Sequence, residues 1–134
     1  MEDWNRVFES PENSGLYHVA ADEGEGQIAE MAAARGLCLA VIDLLGATDK
    51  GGFLRKVADA LEFPDYFGMN WDALNDCLTD FSWKSAEGYV LYFAGFQSFA
   101  EAAGAEAAVA VRILGVAADF WRQQSVPFYA VLSD

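Results

Sequence analysis

Residues 37–45 form one apolar run, Leu-Cys-Leu-Ala-Val-Ile-Asp-Leu-Leu, broken only by Asp43. Its length and β-branched content predict a strand buried on both faces, the kind found in parallel sheets. Two more short apolar and aromatic runs, at 89–93 and 128–132, predict further strands. Pro127 precedes the last of them, and proline suits a strand start. Residues 16–20 alternate in polarity and predict an edge strand.

The stretches between these runs carry helical signals. Trp4, Val7 and Phe8 share one helical face and predict a short opening helix. After an acidic turn, Asp22-Glu23-Gly24-Glu25-Gly26, an alanine-rich helix runs from Ile28 to about Arg35, with Gly36 just past its end. Thr48 or Asp49 caps a helix that places Phe53, Leu54, Val57, Ala58 and Leu61 on one face, with Pro64 as its stop. Residues 65–68 form a turn, and Asn70 caps a helix starting at Trp71. Residues 96–99 link the 89–93 strand to a long helix over about 104–124. This alternation of strands and helices predicts an α/β fold, a small mainly parallel sheet of three to four strands packed against helices.

The chain has 134 residues, enough for one domain with a core, and no internal repeat. Hydrophobic residues make up 54%, which excludes a disordered chain. A formal net charge of −13 argues against nucleic acid, whose phosphates need clustered lysine and arginine, and favours a basic protein partner. Cys38 and Cys77 each sit among apolar neighbours and read as small core residues. The polar N-terminus lacks a secretory leader pattern, and no apolar run reaches membrane-spanning length. A cytoplasmic chain without membrane contact, monomeric when free, is expected.

Residues 63–80 hold four aspartates and no lysine or arginine. Asp72, Asp76 and Asp80 are spaced by four and share a helix face, where like charges cost roughly 0.2–0.5 kcal/mol per pair. Asp72 falls in the first turn, where the helix dipole favours a carboxylate. Asp76 has no such compensation. The expected exposed face is Asp72, Asn75 and Asp76, with Thr79 or Asp80, beside Tyr66 and Phe67 in the preceding turn. An aromatic ring next to carboxylates makes a contact surface for arginine or histidine.

Two enzymatic readings compete. Asp72 and Asp76 could hold Mg²⁺ in a metal-dependent hydrolase. Phosphate chemistry also wants basic groups or a glycine-rich loop, yet Lys84 is the only basic residue between Ala58 and Val111, and no such loop is present. His18 with a cysteine could make a nucleophilic pair, and no serine sits in a nucleophile-elbow motif. Neither reading names a complete site, so no enzyme, metal or cofactor is expected.

The segment Phe63-Pro64-Asp65-Tyr66-Phe67-Gly68, then Asn70, Asp72-Ala73-Leu74 and Asp76-Cys77-Leu78-Thr79, resembles the signature of the barstar family of ribonuclease inhibitors. The resemblance extends from about residue 37 to 132. It implies a barstar-like domain over residues 37–134 and an N-terminal extension over residues 1–36, comprising a short helix, an edge strand and a helix packed on that domain. It implies an inhibitor that enters the basic cleft of a barnase-type ribonuclease in the cytoplasm and puts carboxylates where substrate phosphate would lie. Asp76 matches the family's dominant aspartate, Asp72 one that meets a further arginine, and Tyr66 a tyrosine that packs on a nuclease histidine. The partner-binding set is then Tyr66, Phe67, Gly68, Asn70, Asp72, Asn75, Asp76, Thr79 and Asp80. The chain departs from the family pattern at Asn75, at Asp80-Phe81, and at Phe120 with Asp119 beside it. These departures leave open an immunity or regulatory module for a different basic toxin or protein partner.

Overall fold

A computed structural model describes residues 3–20 and 24–134; of the acidic turn, Asp22 and Glu23 lie outside the described residues. Four strands, β1 (Gly15–Val19), β2 (Cys38–Asp43), β3 (Tyr89–Ala94) and β4 (Phe128–Ser133), form one sheet in the order β1-β4-β3-β2. Every pairing is parallel. The helices are α1 (Trp4–Val7), α2 (Glu25–Ala34), α3 (Lys50–Leu61), α4 (Trp71–Leu78), α5 (Phe96–Ala102) and α6 (Gly104–Gln123).

Side chains along a strand alternate between faces, and the two central strands divide between two cores accordingly. Tyr89, Leu91 and Phe93 of β3, with Phe128, Ala130 and Leu132 of β4, join the core under α3, α4, α5 and α6. Val90 and Tyr92, with Tyr129 and Val131, join a second core with Trp4, Val7, Phe8, Ile28 and Ala32. The molecule is therefore three-layered. Residues before β2 supply both the outer strand β1 and the cover of the second sheet face. Phe128 N donates to Ser14 Oγ (3.0 Å), Arg122 Nη1 to the Ser14 carbonyl (2.9 Å) and the Tyr129 hydroxyl to the Ser10 carbonyl (2.8 Å). Each large apolar side chain buried this way stabilises by about 1.5–3 kcal/mol.

Several sequence expectations need correcting. The 37–45 run is not buried on both faces: β2 is an edge strand, and Val41 and Leu45 are exposed. Strand order sets this, because the cover from α1 and α2 is centred on the middle strands. Cys38 is accordingly half-buried, whereas Cys77 is buried; both are free thiols. Residues 96–99 are not a link but the start of α5, because Phe96 and Phe99, three apart, both bury against the core. Helix α3 ends before Pro64 acts: Glu62 turns left-handed (φ 55°), its carboxylate pairs with Lys84, and Trp83 Nε1 donates to the Leu61 carbonyl (3.1 Å).

Candidate functional site

The acidic segment folds as a turn followed by α4. Phe67 N donates to the Pro64 carbonyl (3.0 Å) and closes the turn. Asn70 caps the helix: its Oδ1 accepts from Ala73 N (2.7 Å) and its Nδ2 donates to the Gly68 carbonyl (3.2 Å). Gly68 permits this approach, since a Cβ there would lie 3.1 Å from Asn70 Nδ2. Two non-glycine residues in left-handed conformation bracket the helix, Met69 (φ 52°) and Phe81 (φ 53°). Phe81 is held there by burial and by stacking on Tyr89 at 4.2 Å.

The inner side of α4 is fixed by Leu74, Cys77 and Leu78, all buried. Trp71 is half-buried against Phe53 (5.9 Å), with Lys50 Nζ 5.9 Å over its ring. Trp121 Nε1 of α6 donates to the Leu78 carbonyl (2.7 Å). A short helix, marginal on its own, is thereby held rigidly from behind.

The nine residues singled out by sequence separate into three groups. Tyr66, Asp72 and Asp76 are exposed, Tyr66 by 71%, and their side-chain polar groups are free of hydrogen bonds and ion pairs among the described residues. Asn70, Thr79 and Asp80 are engaged locally: Asn70 in the cap, the Thr79 hydroxyl donating to the Asn75 carbonyl (2.9 Å), and Asp80 Oδ2 accepting from Ser82 Oγ (3.1 Å). Phe67, Gly68 and Asn75 shape the surface, Phe67 being half-buried edge-on to Phe63 at 4.8 Å and Asn75 half-buried on α4. Met69 was not singled out by sequence, yet it is 39% exposed in the turn that carries Tyr66. Its place directly before the cap was the available signal. On α6, Asp119 pairs with Arg122, so that carboxylate is already matched within its own helix, while Phe120 is 37% exposed.

The face is electrostatically one-signed. No ion pair among the described residues reaches Asp72, Asp76 or Asp80. Burial pushes the Cys77 thiol up, and the neighbouring Asp80 and Asp76 push it further. Two free carboxylates on successive turns next to an exposed tyrosine ring can accept from guanidinium or imidazolium donors. Among the described residues, no group of three or more His, Cys, Asp or Glu side chains is gathered to hold a metal ion. No helix among them is long and apolar enough to cross a membrane.

Comparisons with known proteins place this geometry in context. The family model described as "Barstar (barnase inhibitor)" matches residues 38–133. No curated protein matches the sequence. Among solved structures, the chain is similar to that of an Aeropyrum pernix ORC2 protein in its ADPNP-ADP complexes, with a TM-score of 0.62 and 16% identity. That alignment covers 96% of this chain and 37% of the other, and it speaks to the fold alone.

Proposed function

Since the chain belongs to the barstar family of barnase inhibitors, we propose that it binds a barnase-type ribonuclease in the cytoplasm and blocks its active site with α4 and the turn before it. Residues 37–134 act as the inhibitory domain, residues 1–36 as an extension packed on it, and the free chain is a monomer without enzymatic activity. The observation that carries the reading is the exposed pair Asp72 and Asp76, one turn apart and matched by no cation among the described residues. Two unpaired carboxylates on a rigid helix are suited to a basic cleft built for phosphate. Tyr66 stacks on a flat cation beside them, and Phe67, Gly68, Asn70, Asn75, Thr79 and Asp80 complete the contact. The net charge of −13 steers encounter with a cationic partner.

A second reading keeps the surface and changes the target, making the chain an immunity or regulatory module for another basic toxin. It is favoured by the edge of the patch: Asn75 is half-buried, Asp80 is engaged with Ser82, Phe81 is in the core and Asp119 is matched by Arg122. Inhibition of RNA cleavage by a barnase-type ribonuclease, titrated with the chain, separates the two. Asp76→Ala should weaken inhibition by several kcal/mol and Glu30→Ala should leave it unchanged; close charge pairs in complexes of this same family couple by about 1.5–7 kcal/mol, so that scale is the family's own. Equal effects at both positions would remove α4 as the contact. Calorimetric titration with Mg²⁺ tests the hydrolase reading, which requires saturable uptake abolished by Asp72→Ala.

A further inference from the structure

The carboxyl ends of β3 and β4 open into a cavity of about 400 Å³ on the sheet face opposite α4. It is lined by Gly24, Glu25 and Gly26 at the start of α2, and by Tyr92, Ser133 and Asp134 at the strand ends. The topology creates the opening. The crossover from β1 to β2 runs over one face through α2, while those through α3, α4, α5 and α6 run over the other. In open parallel sheets ligands enter where the crossovers part in this way, at the carboxyl ends of the strands. The volume is in the range of small-molecule sites, about 300–1,000 Å³.

Two side chains bring hydroxyls to this wall. Tyr92 is 2% exposed and Ser133 is 3% exposed. Neither hydroxyl has a hydrogen-bond partner among the described residues, and neither is sealed from solvent. A hydroxyl both donates and accepts, so the two offer solvent-reachable polar groups of both kinds at the cavity wall. The start of α2 adds donors: Gly24, left-handed at φ 84°, provides no side-chain cap, and no side chain among the described residues takes up the first-turn N–H groups. Gly24 is confined to glycine there, since a Cβ would also lie 3.3 Å from Trp4 Nε1. Glu25 and Asp134 supply acceptors, Asp134 Oδ1 lying 3.3 Å from His18 Nε2.

A wall that combines open N–H donors, carboxylate acceptors and hydroxyls of both kinds matches vicinal hydroxyl groups, each of which donates and accepts. The carboxylates and the net charge oppose a free anion. We propose that this cavity binds an uncharged polyhydroxy ligand of monosaccharide or ribonucleoside size, with Tyr92 and Ser133 as specificity residues. The site is separate from α4 and does not depend on the ribonuclease reading.

The test is a ¹H–¹⁵N NMR titration of the full chain with D-ribose, D-glucose, adenosine and inorganic phosphate. Saturable shifts of the Glu25, Gly26 and Ser133 amides, with a dissociation constant of about 1 mM or tighter for at least one polyhydroxy probe, are expected. Adenosine without ribose would assign the ligand to nucleosides, and the free sugars to saccharides; either supports the site. Tyr92→Phe and Ser133→Ala should each weaken that binding about tenfold. Both should leave ribonuclease inhibition unchanged. The proposal is overturned by saturable shifts with phosphate alone, by no saturable shift with any probe, or by wild-type affinity in both variants.

Discussion

Trp121 Nε1 donates to the carbonyl of Leu78 at 2.7 Å, joining the last turn of the acidic helix α4 to the long helix α6 across 43 residues of sequence. Leu78 is fully buried, so no water replaces this donor at low cost. Trp121→Phe keeps most of the ring and removes the N–H. It should destabilise the chain by about 1–3 kcal/mol, the cost of a buried acceptor left unmet. Urea unfolding measures this. Amide exchange in the last turn of α4 should quicken more than that in α3, and equal protection in the variant and wild type would deny Trp121 its role in holding the helix.

Asp72 and Asp76 should respond in opposite directions when stability is measured without a partner. Asp76→Ala removes a like-charge neighbour at four-residue spacing and should leave stability unchanged or raise it by about 0.2–0.5 kcal/mol. Asp72→Ala also removes a carboxylate from the first turn, whose dipole interaction is worth about 0.3–1 kcal/mol, and should be neutral to mildly destabilising. A large loss of stability in Asp76→Ala would mean that its carboxylate has a structural task. Against a cationic partner, added salt should lower the association rate much more than it raises dissociation.

Trp4 tests whether the segment before β2 is integral to the domain. It is 1% exposed and packs against Phe8 and Tyr17, with ring centroids 5.7 and 5.6 Å away. Trp4→Ala should cost about 3–5 kcal/mol of global stability in a single cooperative transition. An unchanged main transition preceded by a separate early one would make the segment an independent attachment.

Burial pushes the Tyr129 phenol up to about 12, with Tyr17 adding to the effect, and its hydroxyl donates to the Ser10 carbonyl at 2.8 Å. The unfolded chain gives up this proton near pH 10 while the folded chain keeps it. The stabilisation is therefore fully present below pH 10 and is lost as pH rises through about 12. Denaturation midpoints across that window should fall more steeply for the wild type than for Tyr129→Phe. Parallel slopes would place the alkaline sensitivity elsewhere, with Tyr89, whose phenol burial also pushes up, as the next group to replace.

Local chemistry was legible in the sequence wherever one segment decides it. Asn70 and Asp49 cap the helices their positions foretold, because a cap depends on a side chain and an N–H three residues on. The four-residue aspartate spacing put Asp72 and Asp76 on one face for the same reason, and the alternation of strands and helices announced a parallel α/β sheet.

Tertiary structure decided what depends on distant partners. It made the longest of the strand-forming apolar runs, residues 37–45, an exposed edge, because hydrophobicity does not encode strand order. It separated the free Asp76 from Asp80, which Ser82 engages, and from Asp119, which Arg122 matches. It also brought Gly24 beside Tyr92 and Ser133, residues that only sheet topology makes neighbours. Periodicity is a property of one segment, whereas burial, pairing and cavities belong to surfaces built from several.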